Sequence, residues 1–169
     1  MNYLMLVLRL IHILAGVFWV GGGMISAFFL TPAVAATGDA GQKMMGYLVT
    51  KGHMSVRLTV AAILTVLAGV ILYWIDSDGL TSRWTVSATG WGFGIGGLFA
   101  LIGLGTGMMV GMNASKLGQI AAAAQGKPTP DQLAQMQAAQ KQMALASKVS
   151  TAALVLALIC MATARYWSG

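Results

Sequence analysis

Four long apolar stretches constrain this chain more than any other feature of it. A helix that crosses a bilayer needs about 20 mainly apolar residues, because lipid offers no partner to an exposed backbone polar group. Four segments meet that requirement: about 4–30, interrupted only by Arg9 and His12; 58–75; 90–112, which carries no charge; and about 149–166. They predict an all-α fold, a polytopic membrane four-helix bundle forming a single transmembrane domain over 1–169. Only 8% of the residues are charged and none is Glu, against about 25% charged in a soluble domain. That excludes an ordinary soluble enzyme. One Cys excludes an internal disulfide, and no Cys/His spacing resembles a zinc site. No nucleophile–base pair, carboxylate pair or phosphate loop is present, so no residue is assigned a catalytic role. The first stretch reads as a retained span: its apolar run is too long for a cleavable leader and no basic cluster precedes it.

The net charge of +6 has a topological explanation rather than a nucleic-acid one. Lys43, Lys51, Arg57, Lys116, Lys127, Lys141 and Lys148 fall in the first and third connections, and only Arg9, Arg83 and Arg165 fall on the opposite side. By the positive-inside rule the connections around 31–57 and 113–148 are cytoplasmic, and both termini and the 76–89 loop lie outside. The expected location is the cell inner (cytoplasmic) membrane, with the lipid bilayer as the main partner. Tyr3, Tyr73, Trp74, Trp84, Trp91, Tyr166 and Trp167 form the expected outer aromatic belt.

After Thr31-Pro32 the chain reads Thr37-Gly38-Asp39, and Asp39 with Gln42 makes a capping-box pattern. The second helix is therefore expected to begin near Ala40 and to run through Gly46 and Gly52 into the bilayer at Arg57. In the third connection, Gly126-Lys127-Pro128-Thr129-Pro130 is a break, with Pro near a helix start. Around it the spacing predicts a cytoplasmic helical hairpin over 113–148, starting its second arm at Asp131 and carrying a Leu133, Met136, Met143 stripe. The arms are expected to meet through Leu117, Ile120, Leu133 and Met136, or to serve as a docking handle for another subunit of a membrane complex.

Span three holds nine Gly between Gly90 and Gly111. Gly103, Gly107 and Gly111 share one helix face, as do Gly92 and Gly96. Small residues at this spacing let helices approach closely in lipid, or leave room for a flat cofactor.

Ionisable groups within a span are functional hypotheses by default. His12 stands nine residues past Tyr3, roughly 13 Å along the helix. Gly16, Trp19 and Gly23 follow on its face. A His beside Gly has the makings of an axial haem ligand: the imidazole offers a lone pair and the missing side chain leaves space for the macrocycle. The alternative is a His hydrogen-bonded to a neighbouring helix. Arg9, one turn earlier, is placed either to meet a propionate or to snorkel to the headgroups. Cys160 and Met161 lie at a comparable depth and are candidates for a second ligand. His53 belongs near the cytoplasmic interface, too far from His12 to share an iron. Met108 and Met112 stand four apart, where thioethers suit Cu(I) or simply fill apolar space.

Leu10-Ile11-His12-Ile13-Leu14, Trp19-Val20-Gly21-Gly22 and then Pro32 resemble the opening helix of the CopD-like superfamily of small bacterial membrane proteins, which includes the HemJ-type protoporphyrinogen oxidases. Arg57 and the apolar run to Gly69 resemble its second helix, so the likeness covers about residues 8–75. It implies a bundle of four or more helices. From the HemJ branch it implies haem b or porphyrin handling with His12 as the metal ligand; from the namesake branch it implies copper. Met24 to Leu30 carries neither the basic residue nor the second His of the HemJ-type enzymes, so the likeness does not extend to porphyrinogen oxidation. The expected function is haem b-binding in an electron-transfer or porphyrin-related role, with Arg9, His12, Gly16, Trp19 and Met161 forming the cofactor site. The alternatives are a non-catalytic accessory subunit, as a homo-oligomer or in a larger complex, and a copper permease.

Overall fold

The computed structural model describes residues 3–124 and 128–167. Within them the fold is all-helical. The helices are α1 (Tyr3–Ile25), α2 (Thr31–Thr37), α3 (Asp39–Thr50), α4 (Met54–Asp76), α5 (Ala88–Ala123) and α6 (Pro130–Thr163). Four helical segments are long and apolar enough to cross a membrane: Tyr3–Thr37, Met54–Asp76, Ala88–Ala123 and Pro130–Tyr166. Their outward faces carry Leu, Ile, Val and Phe side chains that are largely exposed, a surface compatible with contact with lipid.

The first segment is continuous past Ile25 because the backbone widens rather than breaks. Ser26–Leu30 is one π turn, and the Thr31 N–H bonds five residues back to the Ser26 carbonyl. Pro32 follows at the start of α2. Its ring has no N–H and crowds the preceding turn, and a local π bulge accommodates both. The Thr31 hydroxyl also donates to Ser26 O at 2.8 Å.

The next segment departs from the expected continuous helix. α3 ends at Thr50, and Lys51 and Gly52 both donate to Tyr47 O at 2.9 Å. His53 then takes φ 49°, ψ 31°, a left-handed conformation that no helix propagates, before α4 opens at Met54. The Asp39 capping box does not form either. Gly38, at φ 55°, precedes α3 with no side-chain cap, and Asp39 sits inside the first turn, where its charge still favours the helix dipole. The capping box of this chain lies elsewhere. Thr129 Oγ1 accepts from Gln132 N at 3.2 Å while Gln132 Oε1 accepts from Thr129 N at 2.9 Å, with Pro130 next to the cap. Gly126 and Lys127 of the expected break lie outside the described residues.

The bundle is two tight helix pairs, α1 with α4 and α5 with α6, joined by contacts between α4 and α5 and between α1 and α6. Trp19, Val20, Ala61, Ala62 and Leu154 form the buried core where the pairs meet. The α5–α6 pair is close because small residues face each other. A Cβ at Gly92 would meet Ala164, one at Gly96 Met161 and Cys160, and one at Gly103 Leu154. The Ser150 hydroxyl donates across to Gly103 O at 3.0 Å. A Cβ at Gly107 would lie 3.7 Å from Ser150 Oγ, whereas Gly111 faces open space. On α6 the buried seam is Ala139, Ala146, Ala153 and Ala157, continued by Ala164 just past its end, rather than the Leu133 stripe; Leu133 is half exposed. α5 has 36 residues and α6 34, so at about 1.5 Å per residue each is roughly 20 Å longer than a 30 Å hydrocarbon layer is thick.

Candidate functional site

At the end of the bundle that holds Tyr3, Asp76, Ala88 and Tyr166, the two helix pairs diverge around a cavity of about 1040 Å³. That is at the upper end of the roughly 300–1,000 Å³ typical of small-molecule and cofactor sites. All four long helices contribute to its wall. Trp19, Val20 and Leu154 line it and also belong to the buried core, so they form its floor. Arg9, His12, Gly16, Trp19 and Met161, the five residues singled out from the sequence, all line this one cavity.

His12 is fixed by α4. Its Nδ1 lies 2.7 Å from the carbonyl oxygen of Thr65. A carbonyl only accepts, so Nδ1 carries the proton and donates it, and the lone pair is left on Nε2. Nε2 has no hydrogen bond among the described residues. The Thr65 hydroxyl is turned back along its own helix to Ala61 O at 2.7 Å. The Thr65 carbonyl is reachable because residue 69, one turn on, is Gly. In a helix the side chain at i+4 overhangs the carbonyl of residue i. A Cβ at position 69 would stand 2.8 Å from Cε1 of His12 and 3.0 Å from Nδ1. Gly69 therefore makes the seat for the imidazole.

The remaining predicted residues take definite places. A Cβ on Gly16 would lie 3.4 Å from the Thr65 methyl, an ordinary contact, so Gly16 keeps α1 close to α4 as well as lining the cavity. Trp19 is 7% exposed and forms part of the floor. Met161 packs against Gly96 and lines the α6 side. Arg9 reaches the end of α4, with Nη2 3.9 Å from Asp76 Oδ2. His53, exposed at the start of α4, is 12 residues from Thr65, about 18 Å along the helix axis. Cys160, Met108 and Met112 do not line the cavity, and Met108 and Met112 are exposed. No group of three or more His, Cys, Asp or Glu placed to hold a metal ion occurs among the described residues.

Four further contributions were not anticipated. Gly69 is the only Gly of the 58–75 span, and that isolation was the signal available. Gly94 and Gly97 turn toward the cavity rather than toward α6, and a Cβ at Gly97 would meet no atom within 4 Å. Asp76 ends α4 at the cavity mouth instead of opening the 76–89 loop. Tyr73 and Trp84 also turn inward from the expected interfacial belt. Their rings meet edge to face at 5.2 Å, Trp84 stacks on Phe93 at 6.2 Å, and all three line the wall.

Comparison of the chain with protein-family models, with curated proteins and with solved structures returns no match.

Proposed function

We propose that this is a CopD-like integral membrane protein that binds haem b through Nε2 of His12, in an electron-transfer or porphyrin-related role. The observation that carries the reading is the bond from His12 Nδ1 to Thr65 O beside a large apolar cavity. A metal-ligating His ordinarily donates its other ring N–H to a carbonyl or carboxylate, which sets the tautomer and holds the ring in place. A His that served only as glue between helices would need no space beyond its own bond. The rest of the cavity fits a flat apolar group with a polar edge. Gly97 leaves open space on the α5 wall among Phe93, Leu98 and Leu101, Trp19 closes the floor, and Arg9 and Arg165 stand at the mouth. Met161, which lines the cavity from α6, is the candidate second ligand. When bound, haem b supplies one-electron chemistry whose potential depends on the axial ligands and the polarity around them.

The orientation in this proposal is N-out and C-out, in the cell inner membrane, with the α5–α6 connection in the cytoplasm. The basic residues concentrated in 31–57 and 113–148 support it, and it puts the cavity in the outer half of the bilayer. The test is a titration of the purified protein in detergent with haem b. A saturable Soret band at one equivalent is expected for the wild type. A colourless protein that co-purifies with other subunits would favour the accessory-subunit alternative, and bound Cu(I) the copper permease.

A further inference from the structure

The charges of the cavity are confined to its mouth. Arg9 stands on α1, Asp76 ends α4, and Arg165 lies in the single 3-10 turn after α6 (Ala164–Tyr166). Among the described residues no Lys and no other Arg or Asp lines the wall. Two guanidiniums thus face one carboxylate. The Arg9–Asp76 pair, at 3.9 Å and with side chains 47% and 35% exposed, is too long for a hydrogen bond and too exposed to hold firmly. Arg165 has no ion-pair partner among the described residues.

A neutral occupant would leave this arrangement unused. A lipid tail would bring apolar surface against Arg165 and give it nothing to bind, and a quinone would offer it only a neutral carbonyl, a weaker partner than a carboxylate. A single carboxylate would satisfy Arg165 and leave Arg9 on Asp76. Two carboxylates on one edge of the ligand match the two guanidiniums, whose planar fork suits carboxylate oxygens. Arg9 precedes His12 by three residues, about 4.5 Å toward the mouth, so a ligand held at both would point its acidic edge outward.

We infer that Arg9 and Arg165 form a two-point carboxylate clamp, with Asp76 as the internal counter-ion that the ligand displaces from Arg9, and that the site selects planar apolar diacids. This rests on the haem b reading and narrows it to the dicarboxylic tetrapyrroles. Asp76 keeps Arg9 from standing uncompensated beside the apolar cavity, and its charge opposes the incoming acid.

The experiment titrates the purified protein with haem b and with haem b dimethyl ester, which keeps the iron and ring but has no free carboxylate. Wild type, Arg9→Gln, Arg165→Gln and Asp76→Asn are compared, each first checked for a monodisperse elution profile and unchanged helical circular dichroism. The clamp predicts that wild type binds the diacid at least ~10-fold more tightly than the diester, the scale of one charge-assisted hydrogen bond. Arg165→Gln should weaken the diacid by a similar factor and leave the diester unchanged. Asp76→Asn should tighten the diacid severalfold, an effect opposite to that of losing a structural ion pair. Equal affinity for both compounds in wild type and Arg165→Gln would overturn the clamp and leave the haem reading standing. Absence of any Soret change with either compound would overturn both. If the Arg165 effect vanishes in vesicles of neutral phosphatidylcholine and returns with anionic phosphatidylglycerol, Arg165 serves lipid headgroups and the clamp fails.

Discussion

Gly69 and His12 are in contact across the α1–α4 interface so closely that a single methyl would separate them: a Cβ at position 69 would stand 2.8 Å from Cε1 of the imidazole. The same missing methyl exposes the Thr65 carbonyl to Nδ1 at 2.7 Å. The residue that orients His12 is therefore a glycine on another helix.

Gly69→Ala should push the ring off its seat and break the bond to Thr65. Overpacking costs about 1–3 kcal/mol, and an interhelical hydrogen bond in a membrane adds about 0.6–2 kcal/mol. The clean readout is a double-mutant cycle in thermal unfolding of the haem-free protein in detergent. Gly69→Ala should destabilise wild type and be neutral or stabilising in a His12→Ala background, where the clash is gone. Equal destabilisation in both backgrounds would show that position 69 matters for some reason other than the imidazole.

The four spans were legible in the sequence because apolar length alone determines them. His12, Gly16 and Trp19 were legible as one face because they sit on one helix at helical spacing. What the sequence hid depends on two helices meeting. Gly69 and Asp76 acquire their roles only when α4 packs on α1, and Gly97 faces the cavity only because Gly92, Gly96 and Gly103 take the α6 side. Local rules also misled where two readings competed. Asp39 with Gln42 matched the capping pattern, but Gly38 could adopt the positive φ that turns the chain, and it took the cap position. Gly52 looked tolerable inside a helix, yet α3 ends before it at Thr50, and the left-handed His53 after it separates α3 from α4.

Gly97→Leu tests the cavity without touching a helix contact. Nothing lies within 4 Å of the added Cβ, and the position lines the wall. The variant should keep the wild-type melting temperature within about 2 °C, as for a surface change of under about 0.5 kcal/mol. It should lose most haem b uptake in the same titration. Gly16→Ala, with its ordinary 3.4 Å contact to Thr65, should bind nearly normally, whereas Gly16→Leu should expel the ligand. Full binding by Gly97→Leu would place the ligand elsewhere.

The N-terminal arm of α6 should be a protected helix. Ala139 and Ala146 are 2% and 4% exposed, and the Thr129–Gln132 box closes its start. Hydrogen exchange across 131–146 should be slow, and Thr129→Ala, at a cost of about 1 kcal/mol, should speed exchange in the first two turns only. Uniformly rapid exchange in wild type would mean that this arm is a loop.

The orientation is open to a labelling test. In a Cys160→Ser background, a Cys at position 127 should stay unlabelled by an impermeant maleimide in intact cells and react after permeabilisation, while a Cys at position 81 should react in both. Efficient labelling at 127 from outside would invert the topology and put the cavity in the inner leaflet.

The most direct test of the central claim is the absorption spectrum of haem b-titrated wild type, His12→Ala and His53→Ala side by side. The account predicts a Soret band for wild type, its loss in His12→Ala and its retention in His53→Ala, because His53 stands about 18 Å along α4 from the Thr65 carbonyl that seats His12. Equal loss of haem from both variants would contradict the assignment, since it would require two imidazoles separated by about 18 Å along α4 to share one iron.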